Sequence, residues 1–194
     1  MIEEQESVTA AYLFSADADP AMIRRFEGQE LPKGVRFVAS VSGPWQVFAA
    51  AELEDPTTDL PRIVNELFGA GQGTAAADPS TALNIGPSYV RRGTDYFENI
   101  ALIRIHVSGR DPSDVLDEVR SFIGSEEANL VLGDFDILTC VSTPRYDDLV
   151  KTILSLRTVE GIGRTTSLRV IDYMSLGKDA PERHRPKGWT GGGV

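Results

Sequence analysis

Two polar turns that contain glycine stand out in the second half of the chain. The first lies in Leu132-Gly-Asp-Phe-Asp-Ile-Leu138, where Asp134 and Asp136 flank Phe135 between two apolar runs. The second is Gly161-Ile-Gly-Arg-Thr-Thr-Ser167. Gly and Asp are common in tight hairpin turns that bind nothing. Carboxylates and turn N–H groups can also hold the charged groups of a small molecule. The two turns therefore indicate either plain hairpins or a small-molecule site.

Arg104 and His106 form a second candidate site. In the predicted strand 100–107 they alternate with apolar residues that face a helix, so their side chains are expected to point toward the opposing half, near Tyr12 and Phe14. A buried Arg and His could form a polar pocket or an acid–base site. Satisfied interface contacts are the alternative, and the lack of an accompanying nucleophile or metal cluster favours them.

The composition limits the classes of function. The chain has 194 residues, a formal net charge of −10 and a pI of about 4.7. Nucleic-acid binding needs clustered Lys and Arg, so direct binding is not expected. No apolar run approaches the ~20 residues of a membrane span, and the acidic N-terminus lacks a signal-peptide pattern, so a cytoplasmic protein is expected. One cysteine, Cys140, and two histidines, His106 and His184, argue against a disulfide or a metal site. No cofactor is expected.

The predicted elements follow the same order twice: strand, helix, strand, strand, helix, strand. Asp19-Pro20 and Asp111-Pro112 each open the first helix of a half, with Asp as the cap. Three pairs of landmarks have similar offsets, namely Pro20 and Pro112 (112 − 20 = 92), Gly43 and Gly133 (133 − 43 = 90), and Gly71 and Gly161 (161 − 71 = 90). This repetition predicts a tandem duplication.

Each half has the element order of a ferredoxin-like βαββαβ unit, which belongs to the α+β class. Helices cover one face of such a sheet, and the other apolar face must also be covered. We expect the two units to face each other as an intramolecular pseudo-dimer of the dimeric α/β-barrel type. The predicted boundaries are 1–86 for the first unit, 87–99 for a linker, 100–177 for the second unit and 178–194 for a tail.

Residues 100–173 resemble the ligand-binding (RAM) domain of the Lrp/AsnC regulators of amino-acid metabolism. The resemblance rests on three segments in the family's order, namely the Gly133-Asp-Phe-Asp136 turn, Tyr146-Asp-Asp-Leu149 in a helix, and Gly161-Ile-Gly-Arg-Thr-Thr-Ser167. Residues 8–86 resemble the same domain only in element order and in a Ser-Gly turn. The first unit is therefore expected to be diverged.

The resemblance implies a cleft that holds a small amino acid. Gly133, Asp134 and Asp136 would be its acidic turn, and Thr165 and Ser167 its paired hydroxyls. Regulators of this family carry a helix-turn-helix, and this sequence shows no basic recognition helix. The implied protein is a stand-alone module that binds an amino-acid-type effector, self-associates into a homo-oligomer and works in transcription regulation with a DNA-binding partner protein.

Two other functions remain open. Several families built on this type of barrel carry out small oxidations or decarboxylations, with or without haem, although this sequence has no CxxCH haem-attachment motif. A structural subunit that acts by self-assembly is the third hypothesis, since the first half lacks the acidic turn. The sequence favours the non-enzymatic binding module, although a shared fold is a weak basis for function.

Overall fold

The computed structural model describes residues 9–27, 29–69, 80–84, 99–123, 128–176 and 181–184. Nearly all of the predicted linker lies outside the described residues, as do Gly71 and most of the predicted tail.

Nine antiparallel strands form one continuous sheet in the described part of the chain. In chain order they are β1 (Thr9–Ser15), β2 (Val35–Ser42), β3 (Val47–Leu53), β4 (Ser80–Asn84), β5 (Asn99–Val107), β6 (Ala128–Leu132), β7 (Ile137–Thr143), β8 (Ile162–Leu176) and β9 (Pro181–His184). The sequence pattern gives no sign of β9, which pairs with the part of β8 that extends beyond β5.

The first eight strands close into a barrel. The strand order is β2-β3-β1-β4-β6-β7-β5-β8-β9, and β8 pairs in addition with β2. The β2–β8 junction includes the pair Ser42 and Arg169. The opposite junction, between β4 and β6, includes the pair Leu83 and Leu132. These two junctions join the halves of the chain and leave few unpaired strand edges.

In the described part of the chain, three α-helices accompany the barrel: α1 (Pro56–Val64), α2 (Pro112–Ile123) and α3 (Tyr146–Leu156). The helix predicted after Asp19 is a 3₁₀ helix, Pro20–Phe26. Asp19 caps it as predicted, because its side chain accepts a hydrogen bond from the backbone N–H of Ala21 at 2.8 Å. A π-helical turn, Asn65–Gly69, extends α1. No helix among the described residues has the length and apolar character to cross a membrane.

The buried apolar side chains of the described residues form three clusters. The first fills the barrel interior and takes residues from both halves, including Tyr12, Phe14, Phe48, Leu138 and Leu168. The second packs the outer face of the first-half sheet against the 3₁₀ helix and α1. The third packs the outer face of the second-half sheet against α2 and α3. The alternating side chains of the strands thus supply an inner and an outer core, as the α+β class predicts.

The strand registers of the two halves match at constant offsets. Phe14 pairs with Phe48 in β1–β3, and Arg104 pairs with Leu138 in β5–β7. Both members differ by 90 between halves (104 − 14 = 90 and 138 − 48 = 90). Arg104 therefore occupies the register position in the second half that Phe14 occupies in the first.

Candidate functional site

The two hairpin turns lie at the same end of the barrel. All described strand pairs are antiparallel, so the strand order makes β1, β2, β5 and β6 run in one direction. The β2–β3 turn with Trp45 and the β6–β7 turn with Phe135 therefore meet the C-terminal ends of β1 and β5. Phe14 and Arg104 lie near those strand ends. We call this region, formed by the two turns and the ends of β1 and β5, the turn end.

Arg104 is buried at the turn end among three aromatic rings. Its side chain is only 4% exposed. Its Cζ atom lies 4.0 Å from the ring centroid of Trp45, 4.3 Å from that of Phe135 and 5.0 Å from that of Phe14. Such cation–π contacts replace part of the hydration that the guanidinium loses on burial.

Asp134 supplies the one charged partner that the described residues give to Arg104. The distance from Arg104 Nη2 to Asp134 Oδ2 is 3.7 Å, which is longer than a hydrogen bond. The Asp134 side chain is 70% exposed, and its Oδ2 also accepts a hydrogen bond from Ser80 Oγ at 2.8 Å. Arg104 is thus a buried cation with a loosely held, solvated counter-ion.

Two nitrogens of Arg104, Nε and Nη1, are buried without a hydrogen-bond partner. Burial lowers the pKa of Arg104, while the charge of Asp134 raises it and that of Arg164 lowers it further. The guanidinium stays charged at neutral pH because its ordinary pKa is far higher. Buried donors without acceptors destabilise a fold, so this arrangement marks a candidate binding site.

His106 lies two residues beyond Arg104 and contacts Arg164 on the neighbouring strand. The distance from Arg164 Nη2 to His106 Nε2 is 2.8 Å. Arginine has only donors, so Nε2 must accept, and the ring is then neutral with its proton on Nδ1. Burial lowers the pKa of His106, and the Arg164 charge lowers it further, against the opposing effect of Asp136. His106 is therefore a neutral base near the buried cation.

Asp136 fixes the turn instead of facing the guanidinium. Its Oδ2 accepts a hydrogen bond from the Val107 backbone N–H at 2.7 Å, and its own N–H donates to the Ile105 carbonyl at 3.0 Å. These bonds tie the β6–β7 turn to β5. They hold Phe135, the neighbour of Asp136, against Arg104.

Gly133 lies where β4 leaves little room for a side chain. A Cβ atom at Gly133 would lie 3.0 Å from Ala82 Cβ, since β4 packs closely against this turn. Its φ is outside the positive range, unlike that of Gly43 in the equivalent turn, where φ is 137°. The sequence indicated that glycine serves the unusual backbone angles of a tight turn. That reason applies to Gly43, whereas the close approach of β4 accounts for the glycine at 133.

Thr165 and Ser167 lie on the opposite face of β8 from the buried guanidinium. They pair with Ile105 and Ile103, whose side chains face α2 and α3. Thr165 Oγ1 accepts a hydrogen bond from Arg157 Nε at 2.9 Å. The sheet therefore separates these hydroxyls from Asp134. By contrast, Tyr12 lies inside the barrel, where its ring stacks on that of Phe48 with centroids 6.3 Å apart.

The turn end combines residues of both sites predicted from sequence. It joins Asp134 to Arg104 and places His106 nearby, whereas Trp45 and Ser80 were not predicted to take part. The 90-residue offset carried a signal for Trp45, since Trp45 and Phe135 are equivalent under it (135 − 45 = 90). Ser80 has no comparable signal, because only the β4–β6 junction brings it to Asp134.

The described residues do not fit a haem. His106 is the one histidine whose side chain is described, and its Nε2 accepts from Arg164. The outer face of the second-half sheet is filled by fully buried side chains, including Ile103, Ile137 and Leu156. The barrel interior is filled by the first cluster. Among the described residues, no group of three His, Cys, Asp or Glu side chains could hold a metal ion.

Comparison with known proteins identifies the fold through solved structures. No protein-family model matches the sequence, and no curated protein does. A mutant chlorite dismutase from Candidatus Nitrospira defluvii is similar with a TM-score of 0.53 and 13% identity, over 87% of this chain and 91% of that chain. Another mutant of the same enzyme, in complex with cyanide, gives 0.52 and 13%, over 84% and 89%. An anthrone oxidase-like protein gives 0.50 and 12%, over 90% and 97%.

These similarities establish a mixed α+β fold of the dimeric α/β-barrel type. They contradict the prediction of a non-enzymatic, amino-acid-binding module of transcription regulation, because the similar structures are a chlorite dismutase and an anthrone oxidase-like protein. That functional prediction is wrong, and the enzyme alternative is better supported. The physical reason for the error is that the implied cleft needed Thr165 and Ser167 beside Asp134, and the sheet lies between them.

Proposed function

We propose that this chain is a dimeric α/β-barrel enzyme that oxidises a small organic substrate at the turn end. The similarity to an anthrone oxidase-like protein supports the oxidation class, and the similarity to a chlorite dismutase supports an enzyme. The observation that carries the proposal is the buried Arg104 guanidinium, whose Nε and Nη1 have no acceptor. Fixed donors in a water-poor site stabilise negative charge that develops during a reaction more strongly than water does.

The reaction class is oxidation of a substrate that first loses a proton. Arg104 stabilises the resulting anion, and the neutral His106 accepts the proton. Arg164 must then release Nε2, which its exposed position allows. Oxidation of anthrone at its methylene carbon illustrates the balance: one O₂ is consumed, one oxygen atom becomes the ketone oxygen and the other leaves as water. No step passes through a haem, since the described residues do not fit one.

We also propose that the two halves are tandem ferredoxin-like units that form an intramolecular pseudo-dimer. The strand order β2-β3-β1-β4 of the first half corresponds to β6-β7-β5-β8 of the second, which supports this proposal. The β4–β6 and β2–β8 junctions correspond as well, since Leu132 in one matches Ser42 in the other (132 − 42 = 90). Their partners, Leu83 and Arg169, each lie in the opposite half of the chain. Since Phe14 replaces Arg104 in the first half, each chain would contain one active site.

Oxygen uptake tests the proposed activity. The purified protein is mixed with anthrone and with a panel of aromatic hydroxy acids, and dissolved oxygen is recorded. We expect uptake with at least one substrate, and we expect Arg104→Met to lower kcat/KM by roughly a hundredfold, the effect of losing a fixed donor to a developing anion.

Arg36→Met is the matched control, because Arg36 is exposed on β2 and pairs with Glu52 away from the turn end. It should leave kcat/KM within about twofold, as surface substitutions generally do. An absence of uptake with every substrate, or equal losses in the two variants, would contradict the proposed function.

A further inference from the structure

We propose that the turn end binds a carboxylate group of a small acid, and that Asp134 occupies this site in the free protein as a tethered competitor. This inference rests on the proposed function, because it narrows the substrates of the same site to those that carry a carboxylate, which excludes anthrone. It predicts that a free carboxylate and the side chain of Asp134 exclude each other at Arg104.

The surroundings of the Arg104 guanidinium suit an oxyanion, but the protein supplies too few oxygen acceptors for its N–H groups. The three surrounding rings attract its positive charge but offer no oxygen acceptor to its N–H groups. Nε and Nη1 are left without a hydrogen-bond partner. A planar guanidinium matches the two oxygens of a carboxylate, so such a ligand would satisfy donors that the protein leaves unpaired.

Asp134 is suited to be displaced. Its carboxylate stands 3.7 Å from Nη2, outside hydrogen-bond distance, and it is 70% exposed while Arg104 is 4% exposed. A pair formed for stability would bring both partners into hydrogen-bond contact, because a buried charge needs close partners. The Ser80 hydroxyl holds Asp134 at 2.8 Å, so the competitor remains close to the site. An ion pair whose carboxylate is solvated and lies beyond hydrogen-bond distance is weak, and an external anion can replace that carboxylate.

Binding can be followed without any turnover. The chain has two tryptophans, and Trp189→Phe leaves Trp45 alone, whose ring is 4.0 Å from the Arg104 Cζ atom. Sodium acetate and sodium formate are titrated against this protein at constant ionic strength, with sodium chloride as the reference salt. We expect a saturable change in Trp45 fluorescence with the carboxylates and none with chloride.

The decisive comparison uses two variants with the same loss of charge. Asp134→Asn should lower the dissociation constant for acetate roughly fivefold, since the solvated carboxylate of Asp134 no longer competes for Arg104. Asp117→Asn is the control: Asp117 is 82% exposed and lies 3.8 Å from Arg120. It should change the constant by less than about twofold. Equal changes in the two variants would overturn the proposal.

Arg104 itself provides a second test. Arg104→Met and Arg104→Lys should each abolish the saturable change, with the fold checked by circular dichroism, and unaltered acetate binding in a folded variant would overturn the inference. The two proposals can fail separately. Acetate binding that depends on Arg104, without any oxygen uptake, overturns the proposed function and keeps the carboxylate site. Oxygen uptake that saturating acetate does not inhibit overturns the carboxylate site and keeps the proposed function.

Discussion

At the turn end, one charged residue stands among aromatic side chains in matching register positions. Phe14 and Arg104 are equivalent in strand register, as are Trp45 and Phe135 in the two turns. Phe14 contacts Trp45 and Phe135 with ring centroids 5.7 and 5.8 Å away. Arg104 contacts the same two rings through its cation. The arginine in the position equivalent to Phe14 thus places a charge in an apolar cluster and contacts the same two aromatic rings.

At the scale of the residue, His106 should titrate below the ordinary histidine pKa of 6.5, because burial and the Arg164 charge both disfavour its protonated form. As pH falls through about 6.5, the unfolded chain then binds more protons than the folded protein. His106 therefore lowers the free energy of unfolding below about pH 6.5 and does not change it above that pH. Arg164→Gln should raise the pKa. The measurement is an NMR titration of the imidazole in a His184→Gln background.

Arg157→Gln is the matched control for this titration. Arg157 bonds to Thr165 on the other face of β8, so its loss should leave the pKa of His106 unchanged. A pKa of His106 at or above 6.5 in the parent protein would contradict the described geometry.

At the scale of the element, local signals predicted most strands and helices but only part of the site. Alternation placed Arg104 and Tyr12 on the inner face, and the Asp-Pro pair placed the cap at Asp19. The helix after Asp19 is a 3₁₀ helix, whose buried residues Met22 and Ile23 and partly buried Phe26 pack in the second cluster. The pairing of Ser80 with Asp134 depends on a junction between distant strands, which local periodicity cannot encode.

Helix α3 offers a direct comparison between a core and a surface leucine. Leu156 is fully buried in the cluster against β5 and β7, whereas Leu154 is 55% exposed. Leu156→Ala should lower the free energy of unfolding by about 2–5 kcal/mol through lost burial and a residual cavity. Leu154→Ala should change it by less than about 0.5 kcal/mol. Urea unfolding followed by circular dichroism measures both, and similar losses would show that α3 is packed differently.

At the scale of the whole molecule, the two halves depend on one another for burial and pairing. The interior cluster contains residues from all eight barrel strands, and the β4–β6 and β2–β8 junctions satisfy strand edges across the halves. Separation of the halves would expose the inner face of each sheet and the backbone groups of both junctions. The local pattern predicted that these faces must be covered, and the interior cluster takes residues from both halves of the chain.

The described residues should therefore unfold in one cooperative step. Ile63→Val weakens the outer cluster of the first half, and Ile105→Val that of the second; both isoleucines are fully buried. Each change should lower the free energy of unfolding by about 0.5–1.5 kcal/mol. Each should also shift the transition seen by far-ultraviolet circular dichroism and by Trp45 fluorescence (in the Trp189→Phe background) by the same amount. If each variant moved only one of two separate transitions, the halves would be independent domains, and the junctions could not have the role that the closed barrel assigns to them.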